Sequence, residues 1–447
     1  MRTAGTLERA VARDSLYNVL GQGVPLAVAL VAMPLLLGGL GEARFGVLGI
    51  AWMFVTFAGE VGFGRAVTRY VSAARASAGE AVRGIVRTGA RAQLVLGVAL
   101  GACLAMATPW LTGPALGIPP ELQGECRAAF LWMAVGTPAV VLAGAHRGGL
   151  EGVQRFDLVN LIRGAAGTAN FLLPLVALAL GWGVGGVVGL LMASRVAVAV
   201  ALFGAFYAAV PQVDATAAKG PSAAPDTAVA PALPEFLRFG GWVSLNALLS
   251  PILGYMDRVI LAGVLGVAAV GRYVPPWEAI VRLGLVPASV MTALVPVFSA
   301  LEEARSPESV RRLALRSAGL ILVLTGVPAL VAALWAGPLL SLWLGEAFHP
   351  DGAAALRILS IGVVVNALGF VALGLLQAVG RPELPAMLQI AEVPLQLGLA
   401  WLLISRFGVQ GAAMAWSIRC GVDSMGLWLL ALYQTRGSPA PAGGRIT

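Results

Sequence analysis

Charge is scarce in this chain: Asp, Glu, Lys and Arg make up 12% of its 447 residues, against 58% of hydrophobic types. A soluble domain carries about 25% charged residues, so this low share excludes water as the main solvent. Histidine is nearly missing, with His146 and His349 alone, and there is no GxxxxGK[ST] phosphate loop, no HExxH and no GxSxG. These absences argue against an enzyme and leave no catalytic residue, metal site or cofactor to nominate. The three cysteines, Cys103, Cys126 and Cys420, are far apart with no CxxC spacing, and read as small packing residues rather than a redox or metal site. The net charge of +8 is spread over short loops with no basic cluster carrying interleaved aromatics, which excludes nucleic acid as a partner.

What is present is apolar sequence in lengths that match a bilayer. A hydrocarbon core of about 30 Å needs roughly 20 apolar residues per helix, and such stretches recur at 16–40, 45–70, 91–109, 128–149, 157–180, 183–209, 236–264, 271–300, 314–336, 356–379, 384–404 and 408–433. The first is too long for the core of a signal peptide and is followed by no small-residue cleavage site, so it reads as a retained span. The expected fold is all-α: a polytopic membrane protein of twelve helices. An Ala- and Pro-rich stretch, PQVDATAAKGPSAAPDTAVAPALPE, separates spans six and seven and reads as a linker. It divides the chain into an N-terminal six-helix lobe (1–210), a linker (211–234) and a C-terminal six-helix lobe (235–447).

Twenty-one Lys and Arg fall on one side of this arrangement, and Arg44, Arg127, Arg272, Arg357 and Arg406 on the other. The positive-inside rule then places both termini and the linker in the cytoplasm. The halves are related. LGEARFG at 40–46 and LGVAAVG at 265–271 align at a shift of 225, as do Gly183, Val184 and Gly186 with Gly408, Val409 and Gly411. A shift of 226 aligns Pro25 with Pro251 and Arg155 with Arg381. Two copies with an even number of spans insert alike, so their symmetry axis is expected along the membrane normal, with a central cavity between two homologous lobes. Pro25, Pro34, Pro251, Pro287 and Pro394 favour kinks within spans, of service either to bending helices or to static curvature.

Charges inside spans are costly and by default face a bundle interior or a watery cavity. At about 1.5 Å per residue, Arg195 in span six and Arg419 in span twelve lie near mid-membrane. Asp257, Arg258, Glu278 and Arg282 occupy spans seven and eight, with Glu278 and Arg282, like Arg419 and Asp423, at i, i+4. Two readings stay open: acids and bases neutralise one another within packed bundles, or surplus arginines recognise a phosphate or another anion through bidentate hydrogen bonds. Glu60, in GEVGFG, is the lone acid well inside the first half's spans and is either an arginine partner or a proton or cation site. Arg65 and Arg69, at the cytoplasmic end of span two, either snorkel to the headgroups or meet a substrate phosphate at the cytoplasmic mouth.

The first two spans, NVLGQGVPLAVALVAMPLLLGGLGEARFGVLGIAWMFVTFAGEVGFGRAVTRYVS, have an early Asn, a Pro-containing helix, LG-x3-FG, an acid before Gly and a basic end. Together with YMDRVILAGVLGVAAVGRYVPPWEAIVRLGLVPASVMTALVPVFSAL in spans seven and eight, they resemble the polysaccharide-repeat (O-antigen type) flippases of the multidrug, oligosaccharidyl-lipid and polysaccharide exporter superfamily. The resemblance spans essentially the whole chain. It implies alternating access that moves an undecaprenyl-pyrophosphate-linked oligosaccharide between leaflets of the bacterial cytoplasmic membrane, with polysaccharide polymerase and glycosyltransferases as further candidate partners. It puts Glu60 where the family more usually has Asp, and maps a cationic lumen loosely onto Arg195, Arg258, Arg282 and Arg419. Two rivals stand beside it: a multidrug cation antiporter of the same superfamily, and a non-transporting membrane assembly scaffold.

Overall fold

The computed structural model describes residues 4–74, 79–217, 249, 252–303, 307–345, 350–379, 381 and 383–436. Among them every regular element is helical, as a bilayer requires when no water is available to satisfy backbone N–H and C=O groups. In the N-terminal half these are α1 (Ala4–Glu60), α2 (Gly64–Ala73), α3 (Gly79–Trp110), α4 (Gln123–Gly152), α5 (Phe156–Ala179) and α6 (Val184–Ala217). There follow α7 (252–265), α8 (Val267–Val281), α9 (Leu285–Glu303), α10 (Pro307–Leu334), α11 (Ala336–Leu344), α12 (Pro350–Ala378) and α13 (Glu383–Arg436). Large apolar side chains such as Val31, Val95, Val135, Val323 and Leu342 are exposed, the outward face that hydrocarbon demands.

Nine segments among the described residues are long and apolar enough to cross a membrane. Two of them, Gly23–Ala73 and Glu383–Gln434, are double spans that reverse at a glycine. Gly41 has φ +74°. On one side of it Pro25 packs on Gly167 and Gly39 on Leu178, so this arm runs parallel to α5; beyond it Trp52 returns to Phe171, with ring centroids 5.1 Å apart. Gly408 (φ +60°) does the same in α13: Leu388 meets Gly426 and Glu392 meets Arg419, pairings that only an antiparallel return produces. The second arm of α13 lies along α12, where Ser417 Oγ donates to the Ile358 carbonyl and Trp428 Nε1 to that of Leu368, both at 3.1 Å. With these two reversals, and with α7 as the described part of the seventh expected span, the segments are consistent with twelve. Pro251 and most of the expected linker lie outside the described residues; positions 211–217 continue α6.

The duplication has a structural counterpart. Gly41 and Gly266, related by 225, both have positive φ, +74° and +81°. A methyl group on Gly46 would overlap the Val267 carbonyl, and one on Gly271 would overlap that of Glu42; these four positions are two pairs related by the same 225 shift. The 226 shift holds in the turns before α5 and α13. Arg155 N donates to Leu150 O and Arg381 N to Leu376 O, while the side chains pair with Asp157 at 2.9 Å and Glu383 at 3.5 Å.

The chain separates into two compact units: residues 1–251 with 266–271, and residues 252–265 with 272–447. At the end of the first unit that carries its inter-span turns, Arg44 grips Glu125 with both ends of its fork, Nε to Oε2 at 2.9 Å and Nη2 to Oε1 at 2.8 Å. Glu125 Oε2 also accepts the backbone N–H of Val184 at 3.1 Å, so one carboxylate ties the α1 turn to the starts of α4 and α6.

Candidate functional site

Hydropathy makes residues 45–70 one span, yet the helix stops at Glu60 and restarts at Gly64. Val61, Gly62 and Phe63 between them are non-helical, with Gly62 at φ +113°, a conformation that side chains disfavour. The space a side chain on Gly62 would need is taken by the amide of Gln93 from α3. Gln93 is buried, and among the described residues its Oε1 has no hydrogen-bond partner. Non-helical backbone at membrane depth is tolerated where protein or a cavity covers it. Here Glu60, Arg65, Gln93, Gly144 and Arg147 line a small pocket with room for about one water molecule. Glu60 stands 3.9 Å from Arg65. Arg147 lies 4.0 Å from Glu151, which also accepts from Thr68 Oγ at 3.3 Å. Of the two arginines expected at the end of this span, Arg65 is an exposed part of the pocket rim and Arg69, one turn on along α2, is exposed.

Arg195 lies 11 residues into α6, about 17 Å along the helix. Its Nη2 donates to Asn170 Oδ1 of α5 at 2.6 Å, and its Nε is buried with no acceptor. Among the described residues no carboxylate neutralises it. An arginine at the centre of a membrane helix costs about 3 kcal/mol by insertion scales, and an amide oxygen returns only part of that.

The arginines of the second unit are placed differently. Arg258 is 1% exposed, 3.2 Å from Glu278, with its guanidinium over the rings of Tyr255 at 4.9 Å and Trp277 at 4.5 Å. Glu278 also holds Arg282 at 2.9 Å, one turn on and just past the end of α8. Asp257 is buried beside them, accepting from the Tyr273 hydroxyl at 2.5 Å and from the Arg258 backbone N–H at 2.9 Å. Arg258 thus fills an aromatic and ionic box inside the bundle, whereas Arg282 keeps about a third of its side-chain surface. Arg419 stands 4.0 Å from Glu392 and one helical turn from Asp423.

Within this network of the second unit, Arg258, Arg282 and Arg419 face Asp257, Glu278, Glu392 and Asp423, so acids outnumber bases. Of the four arginines expected to form a surplus, Arg195 alone lacks a carboxylate among the described residues. Sequence reasoning singled out neither Glu392 nor Asn170, Gln93 and Tyr273. Glu392 was visible as a carboxylate within the apolar 384–404 stretch; the other three carry no charge and stand out only through their partners.

The sequence matches the family described as polysaccharide biosynthesis protein over residues 11–302, well over half of the chain. The chain belongs to that family. A second match, to the MatE family, covers residues 243–402. A relative from Shigella flexneri, named for O-antigen transport, is 26% identical over 94% of this chain and 97% of its own length. Solved structures share the fold: a multidrug resistance MATE family transporter of the MOP superfamily in an inward-facing conformation aligns over 94% of this chain and 98% of its own, with TM-score 0.71 and 18% identity. A MOP superfamily transporter from Pyrococcus furiosus aligns over 96% and 95%, with TM-score 0.60 and 20% identity. This family member is therefore a multi-pass α-helical membrane protein with the architecture of a transporter.

Proposed function

We propose that the protein is a flippase that moves an undecaprenyl-pyrophosphate-linked oligosaccharide from the inner to the outer leaflet of a bacterial cytoplasmic membrane, for cell-surface polysaccharide synthesis. The family and the O-antigen transport relative support the cargo class. Both termini are assigned to the cytoplasm on the distribution of Lys and Arg, and the polymerase and glycosyltransferases that extend such glycans are the partners expected at the membrane. Transport proceeds by alternating access, with the lipid tail in the bilayer and the polar headgroup carried past polar side chains.

The observation that carries this reading is Arg195. A guanidinium kept near mid-membrane without a carboxylate is a binding group for a mobile anion, and a diphosphate offers the planar fork several acceptor oxygens. Arg282, partly exposed, and Arg65, at the pocket rim, are secondary contacts in this proposal. Arg258 is enclosed and positions Glu278 and α8 instead. The test is accumulation of the lipid-linked oligosaccharide on the inner leaflet when the gene is deleted, with rescue by the intact gene and by Arg195→Lys in part, and none by Arg195→Ala. Rescue by Arg195→Ala at the level of the intact gene would remove Arg195 from the site.

The multidrug cation antiporter draws on the MatE match and on Glu392 and Asp423. Glu392, however, is 2% exposed, which leaves no surface for a drug-sized cation.

A further inference from the structure

The hairpin of α13 buries more polar groups than its ion pair explains. Glu392 lies 16 residues before the Gly408 turn and Asp423 lies 15 after it, so the two are level across the antiparallel arms, about 23 Å from the turn. The register of the hairpin, set by Leu388 packing on Gly426 and by Glu392 standing 4.0 Å from Arg419, brings the two carboxyl groups to facing positions. Among the described residues, neither Glu392 oxygen accepts a hydrogen bond. Two ionised carboxylates that face each other are acceptors only and repel; a proton between them makes one a donor to the other.

The surroundings are those of a built polar seam. Gln389, Glu392 and Gln396 fall at i, i+3 and i+7, on the face of the first arm that meets the second. Gln396 is 3% exposed, with both its amide oxygen and nitrogen buried and without a partner among the described residues. From the second arm come Arg419, whose Nη1 is 4.0 Å from Glu392, and Cys420, whose sulfur accepts from Arg419 Nη2 at 3.2 Å. Against this arm α12 presents Gly362, Gly369 and the Ile358 carbonyl. Arg419 balances one carboxylate, so the seam is neutral with one proton on the pair and carries −1 without it.

We propose that Glu392 and Asp423 form a proton-binding site holding one exchangeable proton between the two carboxyl groups, taken from water and returned to water during the transport cycle. The part played in the cycle rests on the transporter reading; the proton itself does not. A proton is the occupant that fits, because Glu392 is 2% exposed and two carboxylates facing one guanidinium leave one negative charge to neutralise.

The test uses the full chain in lipid nanodiscs, observed by infrared spectroscopy at neutral pH. The wild type is expected to show a protonated-carboxyl C=O band that shifts on exchange into deuterated water, lost in both Glu392→Gln and Asp423→Asn and kept in Glu60→Gln. Absence of the band in the wild type overturns the proposal without recourse to any variant. So does its survival in both Glu392→Gln and Asp423→Asn, or its removal by sodium at constant pH. In proteoliposomes carrying a fluorescent undecaprenyl-diphosphate disaccharide, an imposed pH gradient should accelerate movement by the wild type, an acceleration lost in Glu392→Gln. An unchanged gradient response in that variant overturns the coupling. A wild type that moves no probe at all overturns the flippase reading and the coupling with it, while the infrared band still decides the proton site.

Discussion

At the residue scale, the same side-chain type does opposite work in the two units, and the difference lies in the counter-charge. Removing one partner of a buried ion pair is costly, about 3 kcal/mol or more, because the other is left uncompensated in a low dielectric. Glu278 serves two guanidiniums at once, so Glu278→Gln is expected to lower thermal stability in detergent, by an amount at the upper end of what a point substitution produces. Arg195→Ala removes a charge with no carboxylate to strand. It should leave the unfolding temperature close to that of the wild type while abolishing transport; a large fall in stability would make Arg195 a structural residue. The sequence made the arginines visible as charges in apolar spans. It did not say which were neutralised, since the partners of Arg258 and Arg419 stand on neighbouring helices or across a turn, beyond any local pattern.

At the scale of elements, hydropathy reports the bilayer rather than the helix. The reversals at Gly41 and Gly408 fell close to the gaps between expected spans because their flanks are polar enough to interrupt the apolar run. The break at 61–63 escaped notice because Val61, Gly62 and Phe63 keep that run intact while ending the helix. For the same reason α3 begins at Gly79, well before its apolar stretch at 91: its first turns extend beyond the hydrocarbon. Gly62→Ala should cost about 1–3 kcal/mol from its positive φ, with the clash against Gln93 in addition. Adding Gln93→Ala relieves the clash but not the backbone strain, so thermal unfolding of the double variant is expected between that of Gly62→Ala and the wild type. At the Arg44–Glu125 clasp both side chains are about a third exposed, so screening holds the ion pair to less than about 1 kcal/mol. Loss of the Val184 N–H partner makes Glu125→Ala more harmful to stability than Arg44→Ala, a difference that the two unfolding temperatures would reveal.

At the scale of the whole molecule, the fold was legible because one offset recurs. Positions related by 225 share positive φ at Gly41 and Gly266 and share a side-chain-free contact at Gly46 and Gly271. Gly46→Val and Gly271→Val should therefore impair folding to a similar degree, as judged by yield of monodisperse protein. The candidate site was less legible. Among the described residues the two units differ in charge: the first keeps a cation without a carboxylate at Arg195, and the network of the second has more acids than bases, with Glu392 and Asp423 sharing Arg419. An account that places the cargo's anion with the first and a proton with the second uses both. Its central claim is tested most directly by following undecaprenyl-pyrophosphate-linked oligosaccharide across the membrane of a deletion strain. The account predicts accumulation on the inner leaflet, reversed by the intact gene and not by Arg195→Ala; an unchanged leaflet distribution on deletion, with increased sensitivity to cationic drugs, would contradict it.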